Sequence, residues 1–257
     1  MEHLLRATAQ AEARHFWFRG FRAFVTPLLQ TATAGRQDAC LLDCGCGTGS
    51  NLALLGRFGR AAGFDLSQTG LAIGREAGRA RLARGSVVAA PFRSDTFDVV
   101  TSFDVIYSLN DDDERAAIAE MYRLLKPGGF AIVNVAAMES LRGDHSVLSH
   151  EIRRYSRGQL GDRLAAAGFS VVRLTYTNFT LFLPMLVART LQRRRGLQSE
   201  ASADQEISVP PAPVNALLTG LLTLESAWIR RFDAPAGSSL LCLAQKPRVR
   251  KPAEPGT

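Results

Sequence analysis

Cysteine is scarce in this 257-residue chain, and its four thiols are not spaced as a metal site or a disulfide framework. They are Cys40, Cys44, Cys46 and Cys242, and no two form a C-x-x-C pair. A lone C-x-C offers too few ligands for zinc, and the four histidines lie elsewhere in the sequence. We therefore predict reduced thiols, no bound metal and a cytoplasmic location.

Long apolar runs are also missing. No stretch approaches the roughly 20 apolar residues that a membrane-spanning helix needs. The first residues, MEHLLRATAQAEARHFWF, lack the apolar centre of a signal peptide. We expect neither a spanning helix nor a cleaved leader.

Acidic residues number 24 against 31 lysines and arginines, which gives a net charge of +7. Such an excess would suit nucleic acid or an anionic membrane. The basic residues, however, are scattered among alanine and glycine, with no aromatic-interleaved basic patch. We therefore predict a generally basic surface and no nucleic-acid partner.

The most informative stretch is residues 39–51, which read A-C-L-L-D-C-G-C-G-T-G-S-N. A short apolar run predicts a buried strand, and Asp43 follows it. Glycines then alternate at Gly45, Gly47 and Gly49, and Asn51 is a candidate cap for the next helix. A strand, a glycine turn and a helix are typical of a nucleotide site at the carboxyl edge of a parallel sheet.

The glycine spacing discriminates between cofactors. A dinucleotide fingerprint is G-x-G-x-x-G, whereas here the third glycine comes one residue early. The pattern D-x-G-x-G-x-G resembles the first motif of the class I S-adenosylmethionine-dependent methyltransferases. The resemblance implies that Asp43 and the turn, including Cys46, hold the amino-acid end of the cofactor.

A second acid supports this interpretation. Asp65 ends a predicted second strand, 20 residues after Gly45, and is followed by Leu66 and by Ser67 as a helix cap. An acid at this distance can accept hydrogen bonds from ribose hydroxyls. The alternative is that Asp43 only starts the turn and Asp65 only caps a helix. We favour the cofactor site, because two acids and three glycines would otherwise coincide.

A third strand is predicted over residues 85–89. In the methyltransferase family an acid at its end contacts the adenine, but the matching residue here is Ser86. The backbone of Ser86 and Val87 is the remaining candidate for that contact.

The sequence F-D-V-V-T-S-F-D-V predicts a fourth strand and is similar to the family's fourth motif. The end of that motif faces the transferred methyl group. By their position at this end we predict Phe103 as a cofactor contact, Asp104 as a substrate-positioning group and Tyr107 as a positioning or catalytic group. The acids at 111–114 are most simply the first turn of a helix capped by Asn110.

Strands and helices alternate along residues 37–177 with short loops, which predicts an α/β fold: a Rossmann-like, doubly wound, seven-stranded sheet. The resemblance implies an antiparallel edge formed by the last two strands. About sixty residues separate these strands here, far more than an ordinary loop, so we predict a helical insertion before the last one. We divide the chain into an N-terminal helical cap (1–36), a methyltransferase domain (37–246, with the insertion at about 178–237) and a disordered basic tail (247–257).

The loop at 136–156 should cross the crevice after the fifth strand. We predict His145 or His150 as a general base, and Arg153, Arg154 and Tyr155 as substrate contacts. The alternative is a surface loop whose arginines and tyrosine tether it to the fold.

The N-terminal helices contain three consecutive aromatics between arginines. Trp17 and Arg19 are candidates for a lid over the substrate. Aromatic packing of this helix onto the sheet is the alternative, and the two roles are compatible.

The insertion contains two apolar helical segments, 179–191 and 214–232. We expect these helices to pack on each other and cap the crevice. The alternative is peripheral contact with the inner membrane face through 179–195, where arginines follow an apolar helix.

Together these features predict in-line methyl transfer from S-adenosylmethionine to a small-molecule acceptor, with the apolar insertion favouring a hydrophobic or lipid-like one. The flanking helices and the loop resemble a bacterial subgroup of the type-11 methyltransferases. A non-catalytic, membrane-associated cofactor-binding protein is one alternative. An NAD(P)-dependent oxidoreductase is another, and the early third glycine and the missing Tyr-x-x-x-Lys pair count against it.

Overall fold

A computed structural model describes residues 11–36, 38–143, 146, 150–195 and 209–248. Within these residues the chain forms seven strands and seven α-helices. The strands are β1 Cys40–Cys44, β2 Arg60–Asp65, β3 Leu82–Arg84, β4 Phe97–Phe103, β5 Leu125–Ala136, β6 Ser170–Thr177 and β7 Ser239–Gln245. The helices are α1 Phe16–Thr33, α2 Leu52–Leu55, α3 Gln68–Glu76, α4 Asp111–Leu124, α5 Arg157–Ala166, α6 Phe182–Arg195 and α7 Ala212–Ile229.

All seven strands join one sheet in the order β3-β2-β1-β4-β5-β7-β6. The first five are parallel, and β7 runs antiparallel to both β5 and β6. The predicted doubly wound sheet with its antiparallel edge is therefore confirmed. Because the strand order reverses between β1 and β4, a ligand crevice is expected at their carboxyl ends.

Both faces of the sheet are covered, which explains why its central strands are apolar along their whole length. In β1, Leu41 packs into the cluster beneath α1, whereas Leu42 packs into the cluster beneath α4 and α5. All seven residues of β4 are buried.

The third strand lies earlier than predicted. The structure places β3 at Leu82–Arg84, and residues 85–89 form a tight loop instead. The Gly85 amide still donates to the Asp65 carbonyl at 3.1 Å, but the Ala89 amide then donates back to the Ser86 carbonyl at 3.2 Å. This local closure removes residues 86–89 from the ladder, so the prediction of a strand at 85–89 was wrong.

Helix α4 begins as the sequence predicted. The Asn110 side chain accepts from the amides of Asp112 and Asp113, and the acids at 111–114 occupy the first turn. These carboxylates lie where the helix dipole is positive.

The two insertion helices make their main contacts with different parts of the fold. Helix α6 lies against residues 139–141, whereas α7 packs along α1. A side chain at Gly20 would clash with Leu222, so this glycine permits the close approach of α1 and α7. We expected these helices to pack on each other, but each has its main contacts with another part of the chain. They adjoin at the short turn Phe179–Leu181.

No helix in the part of the chain that the structure describes is long and apolar enough to cross a membrane.

Candidate cofactor site and its surroundings

Asp43, at the carboxyl end of β1, carries a buried and incompletely paired carboxylate. Its Oδ1 accepts a hydrogen bond from the Thr101 hydroxyl of β4 at 2.6 Å. Its Oδ2 is buried and has no hydrogen-bond partner among the described residues. Burial raises the pKa of Asp43 to about 7, the Thr101 hydrogen bond opposes this rise, and the nearby charge of Asp65 adds to it. Such an oxygen is suited to a cationic donor, because unpaired buried carboxylates are costly.

All three glycines of the turn need the left-handed backbone region. Their φ angles are +75° at Gly45, +56° at Gly47 and +77° at Gly49. A Cβ at Gly45 would lie 2.5 Å from Val105, and one at Gly49 would lie 2.8 Å from Leu82. At Gly47 a Cβ would have no atom within 4 Å. Gly47 is therefore the position where the backbone faces open space and a ligand can approach it.

Cys46 lies between these glycines but faces inward. A Cβ at Gly63 of β2 would lie 2.8 Å from the Cys46 Cβ, which shows how closely the turn packs on that strand. Burial raises the pKa of the Cys46 thiol, so the group is neutral at physiological pH. Its contribution to a cofactor site is therefore through its backbone and shape.

Asp65 connects the end of β2 to the glycine turn. Its Oδ2 accepts from the Gly47 amide and its Oδ1 from the Ser67 amide, both at 2.7 Å. Each carboxylate oxygen can accept more than one hydrogen bond, so capacity remains for ligand hydroxyls. Helix α3 is capped by the Ser67 side chain, which accepts from the Gly70 amide at 3.1 Å. Leu66 is largely exposed beside this site.

The candidates after β4 lie at the same edge of the sheet. Phe103 is buried and meets Phe21 of α1 edge to face, with ring centroids 4.9 Å apart. Asp104 has a φ of +60°, and its Oδ1 accepts from the Asn134 side chain at 2.9 Å. Tyr107 is buried, and its carbonyl accepts from the Ile152 amide at 3.0 Å. The loop after β5 is thus fixed to the loop after β4.

Arg153 and Tyr155 converge on one buried acid, Glu114 of α4. The Tyr155 hydroxyl donates to Glu114 Oε1 at 2.6 Å, and Arg153 forms an ion pair with Oε2. Arg163 of α5 pairs with the same oxygen. Burial raises the pKa of Tyr155 to about 12, an effect opposed by the two arginines.

Arg154 is also occupied. It pairs with the buried Glu151 at 2.8 Å and donates to the Ala137 carbonyl at 2.8 Å. These contacts, with those of Arg153 and Tyr155, favour the tethering interpretation of the loop. Their assignment to the acceptor stays a prediction.

Of the two histidine candidates, the structure describes only His150. His150 is exposed, with a φ of +51°, whereas His145 lies outside the described residues. Both stay predictions as general bases.

The N-terminal candidates lie at the start of α1. Trp17 is half-buried, and its amide donates to His15 Nδ1 at 3.1 Å, while Arg19 is exposed. The neighbouring Phe16 amide donates to Asn215 of α7 at 2.8 Å. Helix α1 is thus held against α7. A role for Trp17 or Arg19 as a lid stays a prediction.

Two residues at the site were not singled out from the sequence. Thr101 pairs in register with Asp43 across β1 and β4, a neighbour that the predicted strand order could have identified. Glu12 packs on the glycine turn, where it accepts from the Thr48 hydroxyl at 3.5 Å and lies 3.8 Å from Arg79. Burial raises the pKa of Glu12, against the effects of Ser50, Arg79, Arg22 and Thr48. No local sequence pattern predicts the contact of Glu12 with the glycine turn.

In the described ranges, no group of three or more His, Cys, Asp or Glu side chains is arranged to hold a metal ion.

The sheet order, the glycine turn and the two acids define the class I methyltransferase architecture. Residues 42–133 match the family described as "Methyltransferase domain". Residues 42–133 therefore belong to a class I, S-adenosylmethionine-dependent methyltransferase domain, and the resemblance found in the sequence is confirmed.

Curated relatives match part of the chain. A ubiquinone/menaquinone biosynthesis C-methyltransferase of Marinomonas sp. (strain MWYL1) is 32% identical over 133 residues, which cover 47% of this chain and 50% of that protein. A 2-phytyl-1,4-naphtoquinone methyltransferase of Thermosynechococcus vestitus is 39% identical over 106 residues, covering 38% and 46%. The chain thus spans about half the length of the curated relatives it matches.

Solved structures resemble the whole fold. An S-adenosylmethionine-dependent methyltransferase of Thermotoga maritima aligns with a TM-score of 0.58 at 18% identity, over 96% of this chain and 100% of that one. The [4+2]-cyclase SpnF aligns with a TM-score of 0.54 at 22% identity, over 88% and 81%. At these identities the likeness establishes the fold alone, and the fold serves more than one reaction.

Proposed function

We propose that the protein binds S-adenosylmethionine and transfers its methyl group to a small, apolar acceptor. The observation that carries this proposal is the buried Oδ2 of Asp43, beside a glycine turn whose central residue, Gly47, faces open space. A cofactor with a cationic amino-acid end and a ribose fits a site with one unpaired buried carboxylate and a second acid at the end of β2.

In this proposal the chain's own residues bind and orient the cofactor. Asp43 would hold the ammonium group, the turn at Gly47 would leave room for the amino-acid end, and Asp65 would hold the ribose. Ser86, Val87 and Phe103 stay the candidates around the adenine and the reacting end. When bound, the sulfonium cofactor supplies an already activated methyl group. The protein then contributes alignment and exclusion of water.

The acceptor side gives less specific support. The relatives quoted above are named as quinone methyltransferases, and the name of the second specifies a naphthoquinone with an apolar phytyl group. The family match ends at residue 133, before the loop at 136–156 and the insertion, so the acceptor's identity rests on this chain's own surface. That surface is unusually apolar on α6 and α7. These features favour a hydrophobic or lipid-like acceptor over a polar metabolite.

A general base is needed only if the acceptor carries a proton on its attacking atom. His145 and His150 stay the candidates, with Tyr107 and Asp104 near the end of β4. Tyr155 is not suited to this role as placed, because its hydroxyl donates to Glu114 and its pKa is raised.

The test is transfer of a labelled methyl group from S-adenosylmethionine to demethylated naphthoquinones and, separately, to polar amines. Gly47→Ala should abolish transfer, because its methyl group would occupy the ligand's space. Gly78→Ala is the matched control: its φ is +75° and a Cβ there also has no atom within 4 Å, so the backbone strain is similar.

The proposal is supported if wild type and Gly78→Ala transfer the label to the quinones and Gly47→Ala does not. Label on polar amines alone contradicts the apolar acceptor. Cofactor binding without transfer to any acceptor would favour a non-catalytic binding protein.

A further inference from the structure

Helix α7 buries several polar residues and exposes a stripe of apolar ones. Five of its residues are buried, and three of these are polar: Asn215, Glu225 and Ser226. Two of its leucines are largely exposed, with Leu217 73% exposed and Leu224 72% exposed. A helix that packs on a soluble fold normally has the opposite arrangement.

The orientation of α7 is fixed by its buried polar groups. Asn215 accepts from the Phe16 amide at 2.8 Å and donates to the Arg14 carbonyl at 2.9 Å. Glu225 accepts from the Phe179 amide at 2.8 Å, and its Oε2 accepts from the Thr180 amide at 3.0 Å and hydroxyl at 2.6 Å. Rotating the helix to bury the leucines would break these bonds and leave the carboxylate unpaired. The outward apolar face is therefore a stable feature of the fold.

Helix α6 repeats this arrangement. Leu183, Val187 and Leu191 are four residues apart, lie on one side of the helix and are all exposed. A row of three aromatics joins the turn before α6 to the end of α7. Phe179 stacks on Trp228 with ring centroids 6.4 Å apart, and Trp228 stacks on Phe232 at 5.7 Å. We call the exposed apolar residues of both helices the insertion face; they are Phe179, Leu183, Val187, Leu191, Val214, Leu217, Leu224, Trp228 and Phe232.

The charges that border the insertion face are mostly positive. Exposed arginines follow its apolar residues on each helix: Arg193 and Arg194 on α6, and Arg230 and Arg231 after α7. The described insertion holds two acids: Glu225, which is buried and engaged, and Asp233, which is exposed and pairs with Arg173 of β6 at 3.3 Å. The remaining acids of the insertion fall in 196–208, outside the described residues.

We propose that the insertion face docks on an anionic lipid surface, with α6 and α7 lying in the membrane interface. Outward leucines and valines would enter the acyl boundary, Trp228 would lie at headgroup level, and the arginines would meet lipid phosphates. The contact is broader than residues 179–195 alone, because α7 contributes the most exposed leucines. Neither helix spans the membrane, in agreement with their length and composition.

A second copy of the chain fits this face less well. A two-fold dimer brings the same patch of both copies together. The insertion face would then bring two sets of arginines together, and the one exposed acid of the described insertion, Asp233, already pairs with Arg173. Anionic headgroups supply that complementary charge.

The test is flotation of the full chain with vesicles of phosphatidylcholine alone and of an equal mixture with phosphatidylglycerol. We expect flotation with the anionic vesicles and little with the neutral ones. The double variant Leu217→Ser, Leu224→Ser should bind about tenfold or more weakly, because two large apolar side chains are lost. Its matched control is Val171→Ser, Val172→Ser on β6, which removes two exposed apolar residues outside the insertion.

Charge is tested in the same way. Arg230→Glu with Arg231→Glu should weaken binding to anionic vesicles about tenfold or more. Arg57→Glu with Arg60→Glu, near the amino end of β2, makes the same change in net charge and should have a much smaller effect. Thermal melts of all four variants establish that each is folded.

The proposal is overturned if folded wild-type protein does not float with anionic vesicles, or if each variant pair and its control lose binding equally. It is also overturned if the leucine variant leaves vesicle binding unchanged but converts a dimer to a monomer, because the face would then be an interface between copies.

Discussion

The glycine turn and the insertion face both depart from the usual distribution of polar and apolar groups, but in opposite directions. At the turn, a carboxylate is buried without a full set of partners. On the insertion, leucines are exposed while a glutamate is buried. The unsatisfied group at the turn is a single carboxylate oxygen, which a small cationic group would pair. The exposed apolar surface extends over two helices, so an extended apolar phase is needed to cover it. The size of each unsatisfied region thus indicates the size of the partner that it would bind.

The largest expected effect is at the cofactor edge. Asp65→Ala removes the acceptor of the Gly47 and Ser67 amides and of the proposed ribose hydroxyls. Loss of two hydrogen bonds to a charged group should weaken S-adenosylmethionine binding about a thousandfold, measured by calorimetric titration. Asp112→Ala, on the exposed first turn of α4, should bind as the wild type does. Equal losses in both variants would mean that Asp65 has no specific role.

The second effect concerns pH and the buried carboxylate of Asp43. Its pKa is raised from 3.8 to about 7, so between these values the folded state holds a proton that the unfolded state has lost. Stability therefore falls as pH rises through this range and levels off above about pH 7. Relative to Asp43→Asn, which cannot titrate, the wild type should lose about 4 kcal/mol of unfolding free energy across the range.

Denaturant titrations of both proteins at several pH values measure this difference. If the difference in unfolding free energy between the two proteins is constant with pH, Asp43 is not a buried acid with a raised pKa. A bound cation should lower the pKa and shift the effect to lower pH, which links this prediction to the cofactor.

The third effect tests the tether of the loop at 136–156. Tyr155→Phe removes the hydroxyl that donates to Glu114 and should lower the free energy of unfolding by about 2 kcal/mol. If the tyrosine only tethers the loop, the variant's KM for the acceptor should change little at temperatures where it is fully folded. A large rise in KM with little change in stability would instead favour the substrate-binding interpretation.

The smallest expected effect comes from comparing an outward and an inward leucine of α7. Leu217→Ala, on the outward side, should change unfolding free energy by about 0.5 kcal/mol or less. Leu222→Ala, five residues further along the same helix, removes a fully buried side chain that packs against α1 and should cost about 3 kcal/mol. Similar costs at both positions in the absence of lipid would contradict the described orientation of the helix.

Much of the fold and the cofactor edge could be predicted because the signals are local. Asp43 and the glycines are nearly consecutive, and Asp65 follows one crossover later, so motif and sheet topology are enough to bring them together. The boundary of β3 was not predictable in this way, because it depends on the back-bond from Ala89 to Ser86 rather than on hydropathy.

The acceptor side was harder to predict because its contacts are distant in sequence. Glu114 was interpreted as part of a helix start, and it is also the buried partner of Arg153, Tyr155 and Arg163. The apolar stripe of α7 was visible, but a stripe does not say whether protein, water or lipid lies beside it. The partners of Asn215 and Glu225 decide the orientation, and only the folded structure shows them.

The most direct test of the central claim is calorimetric titration of the purified protein with S-adenosylmethionine, its demethylated product and NADH. The account predicts binding of the first two, no binding of NADH, and loss of binding in Gly47→Ala but not in Gly78→Ala. Binding of NADH in place of S-adenosylmethionine, or equal binding to both glycine variants, would contradict it.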